Sequence, residues 1–216
     1  SLGEYTALTV ANSISLEQGL LLLKNRGEAL QSAVPLGEGG MLAVLGAETE
    51  QIKKIENDNF INIKCFLAND NSKGQLILSG KNEELAKFAS ILKDKKIKNI
   101  KLPVSAPFHC KLMSKATEIM EKEINNIDFD ESKNSLISNV TANEVSNKTK
   151  IKKLLIDQIE NRVRWRESVN YMINKGVTDF LEIGPGKVLS GLVRKTDKNV
   201  RISNINSLED IKNDWF

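Results

Sequence analysis

The sequence predicts an α/β fold, in which strands alternate with helices along most of the chain. The order is clearest over residues 39–102, where short apolar runs and helical patterns follow one another as βαββαβ. Residues 103–216 carry further strand and helix patterns in alternation, and in VTDFLEIGPGKVLSGLVRK (177–195) a glycine turn separates the two. Alternation of this kind is typical of a largely parallel sheet that is covered on both faces.

Residues 1–38 are predicted to be helical. Apolar residues recur at helical spacing over 2–10 and 16–30, and Ser15 is placed to cap the second helix. Glycines at 37, 39 and 40 end the pattern. Because a parallel sheet is not normally opened by a helix, we expect the first strands of the sheet to be absent from this sequence.

The segment 39–102 has the pattern of a four-stranded ferredoxin-like sheet with two helices on one face. We therefore expect it to form a small subdomain inserted into a large subdomain of residues 1–38 and 103–216. Its predicted strands are 41–46, 60–70, 74–80 and 96–104, and its predicted helices are 48–57 and 82–94.

The rest of the large subdomain continues the alternation. The predicted elements are an amphipathic helix from 111 to 124, a short strand at 135–142, a long helix over 151–174, the strand, turn and helix of 177–195, and a last strand at 200–206.

Composition disfavours several classes of function. The net charge of +3 comes without a concentrated basic stripe or interleaved aromatic residues, so we expect no nucleic-acid partner. No apolar run approaches the length of a membrane span. Cys65 and Cys110 are too few for a disulfide framework and have no C-x-x-C spacing for a metal, which favours a reducing cytoplasm.

The opening stretch SLGEYTAL has the form of the residues that follow a nucleophile in a strand-turn-helix elbow. Such a serine needs a base, and His109, in LPVSAPFHCKLM, is the only histidine. A lone histidine is more often structural, but this one lies in a proline-bracketed loop, where catalytic groups are common. Cys110 adjoins it, yet neighbouring side chains diverge, so we do not expect a Cys–His dyad.

Three further features have two interpretations each. Arg26 is either an exposed surface residue, which is the commoner case, or a residue whose planar guanidinium binds a carboxylate through two hydrogen bonds. Asn69 and Asn71 are by default turn residues between two strands. The glycines of 184–186 lack the spacing of a phosphate loop, and a structural strand-to-helix turn accounts for them better.

Four short stretches occur together in order: SLGE at 1–4, Arg26-Gly27, APFH at 106–109 and EIGPGKVL at 182–189. The combination closely resembles the malonyl-CoA:acyl carrier protein transacylases of bacterial fatty acid synthesis, a family related to the acyltransferase domains of polyketide synthases. The resemblance covers essentially the whole sequence. It implies an α/β-hydrolase-like large subdomain with a ferredoxin-like insertion, and a segment before the serine that is absent from this sequence.

The resemblance also implies a role for each matching residue. Ser1 corresponds to the nucleophile, His109 to its base, Gln158 to the residue whose main-chain carbonyl orients that base, and Leu2 to a donor of an oxyanion-hole N–H. Further matches line the substrate cleft. Arg26 corresponds to the arginine that binds the malonyl carboxylate, Phe108 to a bulky ring that disfavours a 2-methyl group, and Asn69 and Asn71 to polar residues of the cleft wall. The implied reaction is ping-pong malonyl transfer to acyl carrier protein, by a cytoplasmic monomer without metal or bound cofactor.

Other classes of function remain open at this point. An N-terminal-nucleophile hydrolase would also use Ser1, but in that class the nucleophile opens a strand, whereas residues 2–10 have helical spacing. A thioester hydrolase would share the same nucleophile and base. An inactive, truncated acyltransferase fragment retained for binding is the third alternative.

Overall fold

A computed structural model of the chain describes residues 1–58 and 63–212. The α-helices are α1 (Leu2–Val10), α2 (Leu16–Ser32), α3 (Thr49–Asp58), α4 (Asn82–Asp94), α5 (Ser114–Asn125), α6 (Lys148–Gln158), α7 (Trp165–Asn174) and α8 (Val188–Thr196). The strands are β1 (Gly39–Leu45), β2 (Cys65–Ser72), β3 (Gln75–Lys81), β4 (Lys98–Lys101), β5 (Leu136–Ile137), β6 (Glu144–Val145), β7 (Asp179–Ile183) and β8 (Arg201–Ile205). Short 3₁₀ turns lie at Lys111–Met113 and Asp210–Lys212.

The first four strands form one antiparallel sheet in the order β2-β3-β1-β4. Its two faces are covered differently. Leu42, Val44 and Leu78 pack with apolar residues of α3 and α4 on one face. On the other face, Met41 and Ile77 belong to a cluster that includes residues of the loop after β4. That loop carries His109, so this face of the sheet supports the loop.

The four helices α1, α2, α5 and α6 enclose the largest cluster of buried side chains. Tyr5, Leu22, Met120 and Leu155 are all fully buried there. Ser15 caps α2 as predicted, because its side chain accepts from the Gln18 N–H while the Gln18 side chain accepts from the Ser15 N–H. The cluster holds the start of α1 beside the end of α6, which is where the candidate site lies.

Parallel pairing is more limited than the alternation of elements predicts. Among the described residues, β7 and β8 are the only two strands that pair in parallel, an isolated parallel bridge joins Asn69 to Val163, and β5 and β6 form a short antiparallel pair. Residues 1–38 contain helices and no strand, so they add nothing to the parallel sheet. The predicted strand at 135–142 is reduced to the two residues of β5.

The prediction of one long helix over 151–174 is wrong. The structure has two helices here, because α6 ends at Gln158 and α7 begins at Trp165. The break is caused by pairing with β2: the Val163 N–H donates to the Ala68 carbonyl at 2.8 Å, and the Asp70 N–H donates to the Val163 carbonyl at 3.1 Å. Helical periodicity does not report such pairing with a distant strand. Residues 60–62 of the strand predicted at 60–70 lie outside the described residues, and β2 begins at Cys65.

Candidate active site

Ser1 immediately precedes α1 and is exposed. The first N–H groups of a helix have no partner within it, and together they favour a negative charge at the helix start. Leu2 is the first helical residue, so its main-chain N–H is one of these groups. Tyr5 and Leu8 are fully buried and anchor this end of the helix.

His109 lies in a loop that is held tightly on both sides. The Ser79 hydroxyl donates to the Phe108 carbonyl at 2.6 Å, and the Cys110 thiol lies 3.1 Å from the Pro107 carbonyl. His109 itself has a φ of +60°, a left-handed conformation that is uncommon for residues other than glycine. The Cys110 thiol donates to the Pro107 carbonyl and, within the described residues, forms no hydrogen bond with His109, and burial raises its pKa to about 11.

The His109 ring is oriented by a main-chain carbonyl. Its Nδ1 lies 2.9 Å from the Gln158 carbonyl oxygen. Because a carbonyl only accepts, Nδ1 carries the proton in this bond, and Nε2 is left as the proton acceptor. Burial lowers the pKa of His109 to about 4, and the positive charges of the Ser1 amino group and of Arg26 act in the same direction. The imidazole is therefore neutral near pH 7, the state that a general base requires.

Gln158 joins this ring to the other site residues. Its side-chain oxygen accepts from Arg26 Nη2 at 3.4 Å. Its Nε2 donates to the Ser1 carbonyl at 3.3 Å, to the Glu4 carboxylate at 2.7 Å and to the Asn139 side-chain oxygen at 3.3 Å. Residues more than 130 positions apart in sequence are thus held together by one buried amide.

Arg26 is buried, 8% exposed, which excludes the surface interpretation. Its Nη2 donates to Ser1 Oγ at 2.8 Å, and its guanidinium carbon lies 5.6 Å from the centre of the Tyr5 ring. Within residues 1–58 and 63–212, no carboxylate forms an ion pair with Arg26, and its buried Nε has no hydrogen-bond partner. A buried cation without a counter-ion beside a hydroxyl is suited to an anionic ligand.

The remaining residues of the expected site are Phe108, Asn69 and Asn71, whose side chains form no hydrogen bond with this network within the described residues. Asn69 and Asn71 are in β2 and not in a turn, which corrects the default interpretation; the turn between β2 and β3 is at residues 73–74. The pairing of β2 with β3 shifts register twice, which let the strand run further than its turn-like composition indicated. Phe108 is half-buried and packs against both the helical cluster and the sheet. Across the part of the chain that the structure describes, no hydrogen bond joins Asn69 or Asn71 to Ser1, Arg26 or His109.

Two site residues were missed by sequence reasoning alone. Glu4 is 6% exposed, and burial raises the pKa of its carboxyl. Its spacing from Leu8 places it on the buried face of α1, and this is a signal that could have identified it. Asn139 is also buried, but it lies in a loop with no pattern that distinguishes it.

The glycine turn after β7 is structural, as predicted. The Glu182 carboxylate accepts from the N–H groups of Leu189 and Ser190, at 3.0 and 2.7 Å, and so occupies the start of α8 that a phosphate would need. Gly184 and Gly186 have φ values of +134° and +93°, which a residue with a side chain rarely adopts.

Neither a metal centre nor a membrane helix is found among the residues that the structure covers. No group of three or more His, Cys, Asp or Glu side chains could hold a metal ion there. Within the same ranges, no helix has the length and apolar character that crossing a bilayer requires.

The sequence is similar to those of known acyl transferases. A family model described as the acyl transferase domain matches residues 1–214. The malonyl CoA-acyl carrier protein transacylase of Bacillus subtilis (strain 168) is 38% identical over 218 residues, covering 98% of this chain and 68% of that protein. The corresponding protein of Staphylococcus aureus (strain COL) is 35% identical over 219 residues, covering 98% of this chain and 70% of its own length.

Solved structures give the same result. The malonyl CoA-acyl carrier protein transacylase of Clostridium perfringens superposes with a TM-score of 0.92 at 39% identity, covering 97% of this chain and 66% of that chain. A malonyl-transacylase in complex with a type II polyketide synthase acyl-carrier protein superposes with a TM-score of 0.91 at 31% identity, covering 96% of this chain and 68% of the other. The chain spans about two thirds of the length of these relatives. It belongs to the acyl transferase domain family.

Proposed function

We propose that this chain carries the site that moves a malonyl group from malonyl-CoA to the phosphopantetheine thiol of acyl carrier protein, in fatty acid biosynthesis. The observation that carries the proposal is the position of Arg26, whose Nη2 lies 2.8 Å from Ser1 Oγ and which forms no ion pair with any carboxylate of the described residues. The names of the relatives support it, since they are malonyl transacylases. The residues present need no metal or bound cofactor for the chemistry.

In the first half-reaction Ser1 Oγ attacks the thioester carbonyl of malonyl-CoA. His109 Nε2 accepts the serine proton, while Nδ1–H remains bonded to the Gln158 carbonyl. The Leu2 N–H, at the start of α1, donates to the oxygen that becomes negative in the tetrahedral intermediate. The carbon–sulfur bond then breaks, the departing thiolate takes the proton from His109, and a malonyl-serine ester remains.

In the second half-reaction the phosphopantetheine thiol gives its proton to His109 Nε2 and attacks the ester carbonyl. The bond to Ser1 Oγ breaks, and the serine oxygen recovers the proton from His109. The two half-reactions use the same atoms in opposite order, which gives ping-pong kinetics.

Arg26 selects the acyl group. Its guanidinium reaches Ser1 Oγ, so it lies close enough to pair with the free carboxylate of a malonyl group on that oxygen. An acetyl group would leave the same buried cation without a partner, which costs far more than the loss of a neutral contact. Phe108, Asn69 and Asn71 complete the cleft in this proposal, with the Phe108 ring opposing a 2-methyl group.

The proposed architecture has residues 39–102 as a ferredoxin-like subdomain inserted into an α/β-hydrolase-like one. The strand order β2-β3-β1-β4 and the single helical layer support the small subdomain. The carrier protein would bind transiently to a monomer. The free thiols Cys65 and Cys110 are consistent with a cytoplasmic enzyme.

Intact-mass spectrometry of the full-length protein after brief exposure to malonyl-CoA tests the proposal. We expect one malonyl group on the Ser32→Ala control, in which an exposed serine is removed, and none on Ser1→Ala. Holo acyl carrier protein should then discharge the adduct and appear as malonyl-carrier. Rapid discharge by water alone would identify a thioester hydrolase, and no adduct on the unmodified protein would refute the proposal.

A further inference from the structure

Glu4 is a buried carboxylate that the chemistry above does not use. Its Oε2 accepts from Gln158 Nε2 at 2.7 Å and from the Asn139 main-chain N–H at 3.1 Å. Within the described ranges, no lysine or arginine forms an ion pair with it. Burying a carboxylate is costly unless it is hydrogen-bonded, so Glu4 is held in place by the two N–H groups that it accepts.

The main-chain carbonyl of Gln158 depends on how the rest of this residue is held. It is the last residue of α6, where carbonyls have no partner within the helix, and its carbonyl is the group that accepts from His109. The side-chain Nε2 has only two hydrogens, which are shared among three acceptors. The bond to Glu4, at 2.7 Å, is shorter than the bonds of 3.3 Å to Ser1 and Asn139. Glu4 therefore provides the strongest restraint on this amide.

We propose that Glu4 is a positioning residue: its carboxylate holds the Gln158 side chain, and through it the main-chain carbonyl that keeps His109 in the Nδ1–H form. The inference rests on the proposed function, because that tautomer is the one that leaves Nε2 free to accept the serine proton. Without the acceptor at Glu4, the Gln158 amide is held only by its weaker bonds. The carbonyl then moves, and the ring gains access to the Nε2–H tautomer.

The tautomer of His109, the one histidine of this sequence, can be read by nitrogen-15 NMR. Nitrogen-15 chemical shifts of the imidazole distinguish Nδ1–H from Nε2–H, and a His109→Gln sample identifies the signals in the full-length protein. The informative pair of variants is Glu4→Met and Glu4→Gln. The two side chains are similar in length and volume, but only Gln retains an oxygen that accepts from Gln158 and Asn139.

We expect Glu4→Gln to keep the Nδ1–H signals and Glu4→Met to show a mixture of tautomers. The rate of Ser1 malonylation should fall roughly 10- to 100-fold in Glu4→Met, as is usual when a group that orients a catalytic side chain is lost. It should change by less than about threefold in Glu4→Gln. Glu28→Gln, an exposed glutamate on α2, is the matched control and should change neither reading.

The result that overturns the inference is a folded Glu4→Met protein with the tautomer of the unmodified protein. If Glu4→Met does not fold, Glu4→Asp decides instead: it keeps the charge but withdraws the carboxylate by one methylene, and an unchanged tautomer in that variant overturns the inference equally. The spectroscopic reading needs no malonyl-CoA. Failure of malonyl transfer in the unmodified protein would therefore refute the proposed function without deciding the role of Glu4.

Discussion

Two arginines of this molecule, Arg26 and Arg166, are both held by close polar contacts but differ in what they pair with. Arg166, on α7, donates to Glu48 at 2.6 Å and to the buried Asp70 of β2 at 2.7 Å. Its charge is matched by two carboxylates, and the contacts tie α7 to the sheet. Arg26 is more deeply buried, and its hydrogen bonds within the described residues go to a hydroxyl and an amide oxygen and not to a carboxylate.

The difference separates a structural cation from a binding one. Bringing a guanidinium out of water costs several kcal/mol unless good partners are supplied, and Arg166 has them within the chain. Within the described residues, Arg26 has no ion-pair partner and its buried Nε has no hydrogen-bond partner, so an anionic ligand would complete its environment. The comparison predicts that the two residues respond to substitution in opposite ways.

The largest expected effect is the loss of malonyl transfer in Arg26→Met. The rate of Ser1 acylation by malonyl-CoA should fall roughly 100- to 1,000-fold, because a buried charge-assisted pair with the substrate is removed. Acylation by acetyl-CoA should be unchanged or faster, since no cation is left unpaired. The free energy of unfolding should not decrease, as measured by urea denaturation. Equal losses with malonyl-CoA and acetyl-CoA would show that Arg26 does not select the carboxylate.

Arg166→Met should act on stability instead. Removing this partner leaves Asp70 buried and unpaired, and we expect a loss of about 2 kcal/mol in the free energy of unfolding, less than for a fully buried pair because Arg166 is partly exposed. The double variant Arg166→Met/Asp70→Asn should recover part of that loss. Urea denaturation measures the stability of both variants. The malonylation rate of the folded protein should be unchanged in each. A tenfold slower rate in a protein of normal stability would contradict the structural role.

The smallest expected effect is on the pH dependence of acylation. Protonated His109 cannot accept the serine proton, so the rate falls as the pH drops through the pKa of the ring. Burial sets that pKa at about 4, so the acid limb of the profile should lie well below the value of 6.5 for an ordinary histidine.

Because the charge of Arg26 also lowers this pKa, Arg26→Met should move the acid limb to higher pH, whereas Arg166→Met should leave it in place. Acetyl-CoA is the acyl donor for this comparison, since it does not depend on Arg26. An acid limb near 6.5 in the unmodified protein would show that His109 is not the buried, neutral base described here.

Local structure was predictable where it depends on neighbouring residues. The helix predicted at 82–94 coincides with α4, and Ser15 caps α2, because apolar spacing and capping side chains act within a few residues. The region 151–174 was mispredicted for the opposite reason. Its helical spacing is real, but Val163 pairs with β2, almost a hundred residues earlier in the chain, and that pairing breaks the helix.

The features of the site also divide into those that the sequence indicates and those that only the structure reveals. Ser1, Arg26, His109 and Gln158 could be named from the sequence through their resemblance to a family, and the role of Arg26 remained one of two interpretations. The sequence by itself determined the helices and strands that carry these residues and the chemistry that each side chain can perform. Only the tertiary structure brought the end of α6 to the start of α1, where Gln158 meets Glu4, Ser1 and Arg26. The reason is physical: hydrogen bonds across 130 or more residues depend on how buried helices pack, and no local pattern records that packing.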